Sequence, residues 1–139
     1  MKQAFRSVTV ATRGPGLYAC GDPVRSFVRE SRIREGLLTC FIRHTSASLL
    51  VQENADPDVL ADLEDYMCRL VPRDSTHYRH RTEGPDDMPG HIRAALTATS
   101  LSIPVHDEDL ALGTWQQLYV FEHRDSPHQR EIVLHLIGE

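Results

Sequence analysis

The stretch SLSIPVHDEDLALGTWQQLYVFEHRDSPHQREIVLHLIGE, residues 100–139, decides the fold. It holds three apolar runs, at roughly 100–106, 116–123 and 130–137. In the last, Ile132, Leu134 and Leu136 recur at the period of two that marks a half-buried strand. The segments between the runs are too short for the crossover of a dozen or more residues that a parallel pair needs, so the spacing predicts antiparallel pairing. Toward the N-terminus, residues 3–11 alternate Phe5, Ser7 and Thr9 against Arg6, Val8 and Val10 and predict another strand, closed by Gly14-Pro15-Gly16. Residues 37–43, LLTCFIR, form an apolar run of strand length that is expected to be buried on both faces, and 48–53 predicts the strand after it.

Helices interrupt this β-structure. Asp22-Pro23 reads as an N-cap followed by proline at the first helical position, with Val24, Phe27 and Val28 inward and Gly36 as the stop. Asp56-Pro57 repeats the device ahead of the stripe Leu60, Leu63, Met67 and Leu70, which Pro72 closes. A polar stretch runs from Arg73 to Pro85. Asp87-Met88-Pro89 then opens a shorter helix with Ile92 and Leu96 on its expected buried side. Strands and helices mixed without a βαβ rhythm predict an α+β fold. No linker or repeat divides the chain, so residues 1–139 are read as one domain.

Composition narrows the function. Twenty acidic against 15 basic side chains give a formal charge of -5, which supplies no basic footprint for nucleic acid. No run approaches the ~20 apolar residues of a membrane span, and the N-terminus lacks an apolar core of signal-peptide length. Cys20, Cys40 and Cys68 are odd in number and without CxxC spacing. Free thiols suit a reducing compartment, so a cytoplasmic protein is expected.

Four polar clusters sit at the ends of predicted elements, where a packed scaffold presents binding groups. They are His44-Thr45-Ser46-Ala47-Ser48; Glu53-Asn54-Ala55-Asp56; His80 with Glu83 to His91; and Leu112 to Gln116 followed by Glu122-His123-Arg124. Each also has a plain reading. Asp56 and Asp87 are candidate helix caps, Ser46 and Ser48 turn formers, and His44 a strand-end histidine with satisfied hydrogen bonds. Of the eight histidines, His77 and His128 fall in polar loops, His135 lies mid-strand, and His106 sits beside Asp107. His44, His80, His91 and His123 remain, and imidazole is the commonest metal ligand. His80 and His91, ten residues between them and three of those carboxylates, offer a mixed nitrogen and oxygen set suited to a divalent transition ion.

Taken in order, HTSASL (44–49), ENADPDV (53–59), HRTEGPDDMPGHI (80–92), SIPVHDEDLALGTWQ (102–116), EHR (122–124) and the GE at 138–139 resemble the YjbQ family over about residues 38–139. Gly90 departs from the alanine expected before the histidine. The resemblance implies a compact fold of antiparallel β-structure with packed helices, a homotrimer, and a metal held in a histidine-rich pocket. The implied activity is secondary thiamine-phosphate synthesis, which joins an aminopyrimidine diphosphate to a thiazole phosphate with loss of pyrophosphate.

On this combined footing His80, His91 and His123 are the expected metal ligands, with zinc as first candidate. His44, Glu53, Asn54, Asp87 and Arg124 are the expected catalytic groups. Thr45, Ser46, Ser48, Thr114, Trp115 and Gln116 are expected to line the substrate site, with His44, Ser46 and Ser48 sharing one cavity with Glu53 and Asn54. The expected partners are a small phosphorylated metabolite and further copies of the chain, with neither nucleic acid nor membrane. Two other classes use the same equipment: a metal-dependent hydrolase or isomerase of another phosphorylated compound, and a non-catalytic trimer that binds a metabolite or metal.

Overall fold

The structure is a computed structural model that describes residues 1–73 and 75–139; Asp74 lies outside the described residues, within the polar stretch 73–85. Among the described residues, eight strands and three α-helices follow in the order β1 (Lys2–Thr12), β2 (Gly16–Ala19), α1 (Gly21–Ser31), β3 (Gly36–Ile42), β4 (Ala47–Glu53), α2 (Pro57–Leu70), α3 (Asp87–Leu96), β5 (Ser100–His106), β6 (Asp109–Leu110), β7 (Gln116–Glu122) and β8 (His128–Gly138), with a short 3-10 turn at Ser75–His77. The fold is α+β. Five strands pair in the order β1-β8-β3-β5-β6 and three in the order β2-β7-β4, every pair antiparallel. This bears out the reading of residues 100–139.

Alternation places the core between the two sheets. Leu38, Cys40 and Ile42 of β3 and Ile132, Leu134 and Leu136 of β8 meet Ala47 and Leu49 of β4 and Leu118 and Val120 of β7, with Val24, Phe27 and Val28 of α1 in the same cluster. Met67, Val71, Ala94, Tyr119 and Phe121 are buried outside that cluster. They belong to the other face of the three-stranded sheet, where α2 meets β2 and α3 meets β4.

Several expectations are corrected. The 37–43 run is not buried on both faces: Leu37 and Phe41 are nearly half exposed, because one face of β3 looks outward from the larger sheet. Asp22 is not the N-cap of α1, which begins at Gly21 after Cys20. Nor does Gly36 end that helix. Arg32 does, in the left-handed conformation, and Gly36 instead starts β3 where a Cβ would lie 2.4 Å from the Ile137 carbonyl oxygen. Leu60 and Leu63 are only half-buried and Leu70 is exposed, because α2 packs outside the main core. On α3 the buried row is Gly90, Arg93 and Ala94, and Leu96 is exposed. The Asp56-Pro57 expectation holds, with the Asp56 carboxylate accepting from the Asp58 N–H at 2.9 Å.

Candidate metal centre

Helix α3 begins with Asp86 as its N-cap and Asp87 as its first residue. His91 follows four residues after Asp87, so the two share one helical face. The preceding loop returns His80 to that face. His80 Nε2 lies 2.6 Å and His91 Nε2 3.1 Å from the same oxygen, Asp87 Oδ2, and one ligand atom from each of the three residues falls within 4.8 Å of the others.

Two of the three groups are held from behind. His91 Nδ1 is 3.0 Å from the Thr45 carbonyl oxygen. A carbonyl only accepts, so this nitrogen carries the hydrogen, and in the neutral tautomer Nε2 is the ring atom with the lone pair a metal needs. Asp87 Oδ1 accepts from Arg124 Nη1, which leaves Oδ2 to face the imidazoles. His91 Nε2 and Asp87 Oδ2, 3.1 Å apart, face one another as a hydrogen bond or as two donor atoms for a cation. Two nitrogens and one oxygen, with His91 and Asp87 each oriented by a second protein group, are a donor set that fits zinc or a similar divalent ion. Asp87 is buried, whereas His80 and His91 are about a third exposed, so the group opens to solvent on the imidazole side.

Arg124 holds both carboxylates at the start of α3. Its Nε donates to Asp86 Oδ2 at 2.8 Å, and its Nη2 donates to the Glu83 carbonyl at 3.0 Å. Burial pushes the Asp86 and Asp87 carboxyls up. Arg124, together with the His80 hydrogen bond to Asp87, outweighs it and holds both below the usual carboxylate range. Three of its five N–H donors are thus spent on Asp86, Asp87 and the Glu83 carbonyl. Arg124 was expected among the catalytic groups, and these bonds make it a positioning group for Asp87.

Behind Arg124 a buried ion pair joins the two sheets. Glu122 of β7 accepts from Arg130 of β8 through both its oxygens and from Thr12 of β1. Its Oε2 also accepts the His123 N–H at 2.9 Å and the Arg124 N–H at 3.2 Å. Arg130 Nη2 goes on to Ser46, reaching the hydroxyl at 3.0 Å and the carbonyl at 3.2 Å. Sequence reasoning passed over Arg130 and counted Asp86 only among the carboxylates between His80 and His91. Arg130 had a signal: it lies in register with the buried row Ile132, Leu134 and Leu136, where a charge has to be paired. The Asp87–His91 spacing of four also pointed to the carboxylate as a ligand.

His123 does not join His80 and His91. Alternation along β7 turns its ring toward the side covered by α3, where Nε2 lies 3.0 Å from Ser48 Oγ and the ring centroid 4.7 Å from that of Phe121. Burial, with the Arg93 charge adding to it, pushes the imidazole down to about 3, so the ring is neutral. Ser48 is fully buried, bonded also to Thr97, and cannot touch a substrate. Ser46 is buried and taken by Arg130. His44 Nε2 accepts the Glu131 N–H at 2.8 Å, the strand-end role that was its plain reading. Thr45 contributes its carbonyl.

The remaining candidates lie elsewhere. The seven residues of β4 run from Ala47 to Glu53, about 20 Å from end to end at the usual strand rise. Glu53 pairs with Gln116, and the Asn54 N–H donates to the Trp115 carbonyl at 2.9 Å. Glu53, Asn54, Thr114, Trp115 and Gln116 thus form a group of their own at the far end. The expectation of one cavity shared with His44, Ser46 and Ser48 is corrected: β3 and β4 belong to different sheets, and Glu53 stands at the end of β4 away from their connection. Gly90 leaves room for the expected alanine, its Cβ position being 3.4 Å from Ser46 Cβ.

The model of the UPF0047 protein YjbQ-like family matches residues 6–139. A UPF0047 protein of Synechocystis is 52% identical over 138 residues, covering 99% of this chain and 94% of its own length. The UPF0047 protein YjbQ of Escherichia coli O157:H7 is 38% identical, covering 96% and 97%. Among solved structures, a YjbQ/UPF0047-family protein of Clostridium acetobutylicum superposes with a TM-score of 0.87 at 30% identity, covering 95% of this chain and 99% of that one. The chain belongs to the YjbQ-like family.

Proposed function

We propose that this member of the YjbQ-like family is an enzyme that holds a divalent transition ion, zinc as first candidate, on His80, Asp87 and His91 and acts on a small phosphorylated metabolite. The observation that carries the reading is the convergence of His80 Nε2 and His91 Nε2 on the single oxygen Asp87 Oδ2, with His91 turned by the Thr45 carbonyl. When bound, the ion would supply a Lewis acid for phosphate oxygens. The chain's own residues do the rest. Thr45 fixes the His91 tautomer, Arg124 keeps Asp87 ionised and aimed, and the Glu122–Arg130 pair fixes the backbone that carries Arg124.

The specific form favoured is thiamine-phosphate synthesis, in which a thiazole nitrogen displaces pyrophosphate from an activated methylene carbon. That reaction asks the protein mainly to position two anions and stabilise the departing one. The protein is read as cytoplasmic, in keeping with Cys20, Cys40 and Cys68 as free thiols; among the described residues no helix is long and apolar enough to cross a membrane.

Assembly into a homotrimer is part of the proposal. A cyclic trimer needs two different complementary patches on each copy. The outward face of the five-stranded sheet, with Phe5, Leu37 and Phe41, and the exposed side of α2, with Tyr66 and Leu70, would serve. The test begins with chelator-stripped protein reconstituted with zinc, cobalt or manganese. Elemental analysis should give one ion per chain, and Asp87→Asn, which alters a ligand itself, should weaken retention by more than the roughly 10–100-fold that loss of an outer supporting partner costs. Undiminished metal in Asp87→Asn would overturn the site. Light scattering giving a monomer at micromolar concentration would overturn the trimer.

A further inference from the structure

Beside the metal group lies a cleft of about 210 Å³ lined by Tyr78, His80, Arg81, Pro85, Met88 and Pro89, among others. His80 belongs to both, so whatever enters the cleft meets the open side of the metal group. Around this site Arg73 is paired with Asp125, Arg124 with Asp86 and Asp87, and Arg93 with Glu64. Arg81 differs. Its Nε donates to the Tyr78 carbonyl, and among the described residues it has no carboxylate partner. Anchoring at Nε leaves the paired outer nitrogens, the fork that binds an oxyanion in two places. Glu83, 3.9 Å from His80 and largely exposed, is the opposing charge nearby. Pro85, Met88, Pro89 and the Tyr78 ring make the other walls apolar.

Resting on the metal reading above, we infer that this cleft binds the phosphate end of a phosphate monoester, with Arg81 gripping the phosphate and Met88 and Tyr78 packing against the carbon next to it. A monoester has three free oxygens, two for the Arg81 fork and one for the metal side, whereas a carboxylate has only two in all. The volume sets the size. It falls below the roughly 300–1,000 Å³ that encloses a whole drug-sized ligand, so the cleft takes the phosphate and a compact adjoining group, and the rest of the substrate lies outside it.

The test titrates inorganic phosphate, and acetate for contrast, into full-length zinc-loaded protein by calorimetry. Arg81→Gln should keep one zinc per chain and weaken phosphate binding at least 10-fold. Met88→Glu, which puts a negative charge on the apolar wall, should do the same without touching Arg81. Unchanged phosphate affinity in both variants, or acetate binding as tightly as phosphate to the unaltered chain, would overturn the inference. Loss of zinc on Asp87→Asn is a separate readout, so failure of the metal reading is distinguishable from failure of the cleft.

Discussion

The β4–β7 pair has two ends, and they are built differently. At the Ala47–Glu122 end, Ser46, Glu122, His123 and Arg130 are buried and knit to one another, and the metal group sits on top of them. At the Glu53–Gln116 end the side chains stand largely in solvent, and Trp115 is 63% exposed. Both ends carry motif residues of the same chemical type. The near end has spent its polar atoms on each other and thereby fixed the position of a few groups. The far end has engaged few of its side-chain polar atoms, Gln116 Oε1 with the Gly113 N–H being one. A substrate needs free groups and a metal needs fixed ones, so polarity alone, read from the sequence, cannot separate the two roles.

The largest break in this contrast should come from Glu122→Gln. It leaves Arg130 charged and buried without its carboxylate, a change that typically costs about 3–5 kcal/mol. Denaturant unfolding should show the midpoint fall with little change in slope. Because Glu122 orders the Arg124 backbone, zinc retention should weaken as well. Full stability in this variant would mean that the near end is not the keystone described above.

Acid should act on the same end. The His123 imidazole is held near 3 in the folded protein and rises to about 6.5 on unfolding. Below pH 6.5 the unfolded chain takes up a proton that the folded one refuses, so stability falls as pH drops from about 6.5 toward 3. The slope approaches about 1.4 kcal/mol per pH unit for this one group. Glu122 adds to the loss lower down. Burial pushes its carboxyl up, but Arg130 and Thr12 outweigh burial and hold it below the usual range, so its contribution disappears as pH falls below the ordinary glutamate value. Thermal melts across pH 4–7 test this, and a flat profile would refute the neutral buried imidazole.

The smallest effect is expected at the far end. Glu53→Gln and Trp115→Ala should each shift stability by no more than about 0.5 kcal/mol, as surface changes do, and leave metal content unchanged. Loss of metal in either variant would erase the division between the ends.

The sequence made the regular elements legible wherever a period or a cap was present. Ile132, Leu134 and Leu136 gave β8, Asp56-Pro57 gave the start of α2, and Val24, Phe27 and Val28 gave the inner face of α1. It did not reveal β2, which is only Gly16–Ala19 and too short for a period. It also hid the crossing between sheets at residues 43–46, and that omission made Glu53 look like a neighbour of His44. Within the site, His80 and His91 were legible as a candidate pair because they flank the start of a helix. His123 was misjudged because a strand has two faces, and which one lies under α3 is settled by tertiary packing alone.

The three grouped ligands have one more consequence, for the unfolded chain. His80, Asp87 and His91 all fall within a dozen consecutive residues, whereas their supports, Thr45 and Arg124, arrive from distant strands. A denatured polypeptide therefore keeps the donor atoms close together, and zinc released by melting can be recaptured by the same short segment. Binding to both states cancels part of the stabilisation that native affinity alone would give. The ion should raise the melting temperature by less than its grip on the folded protein would suggest.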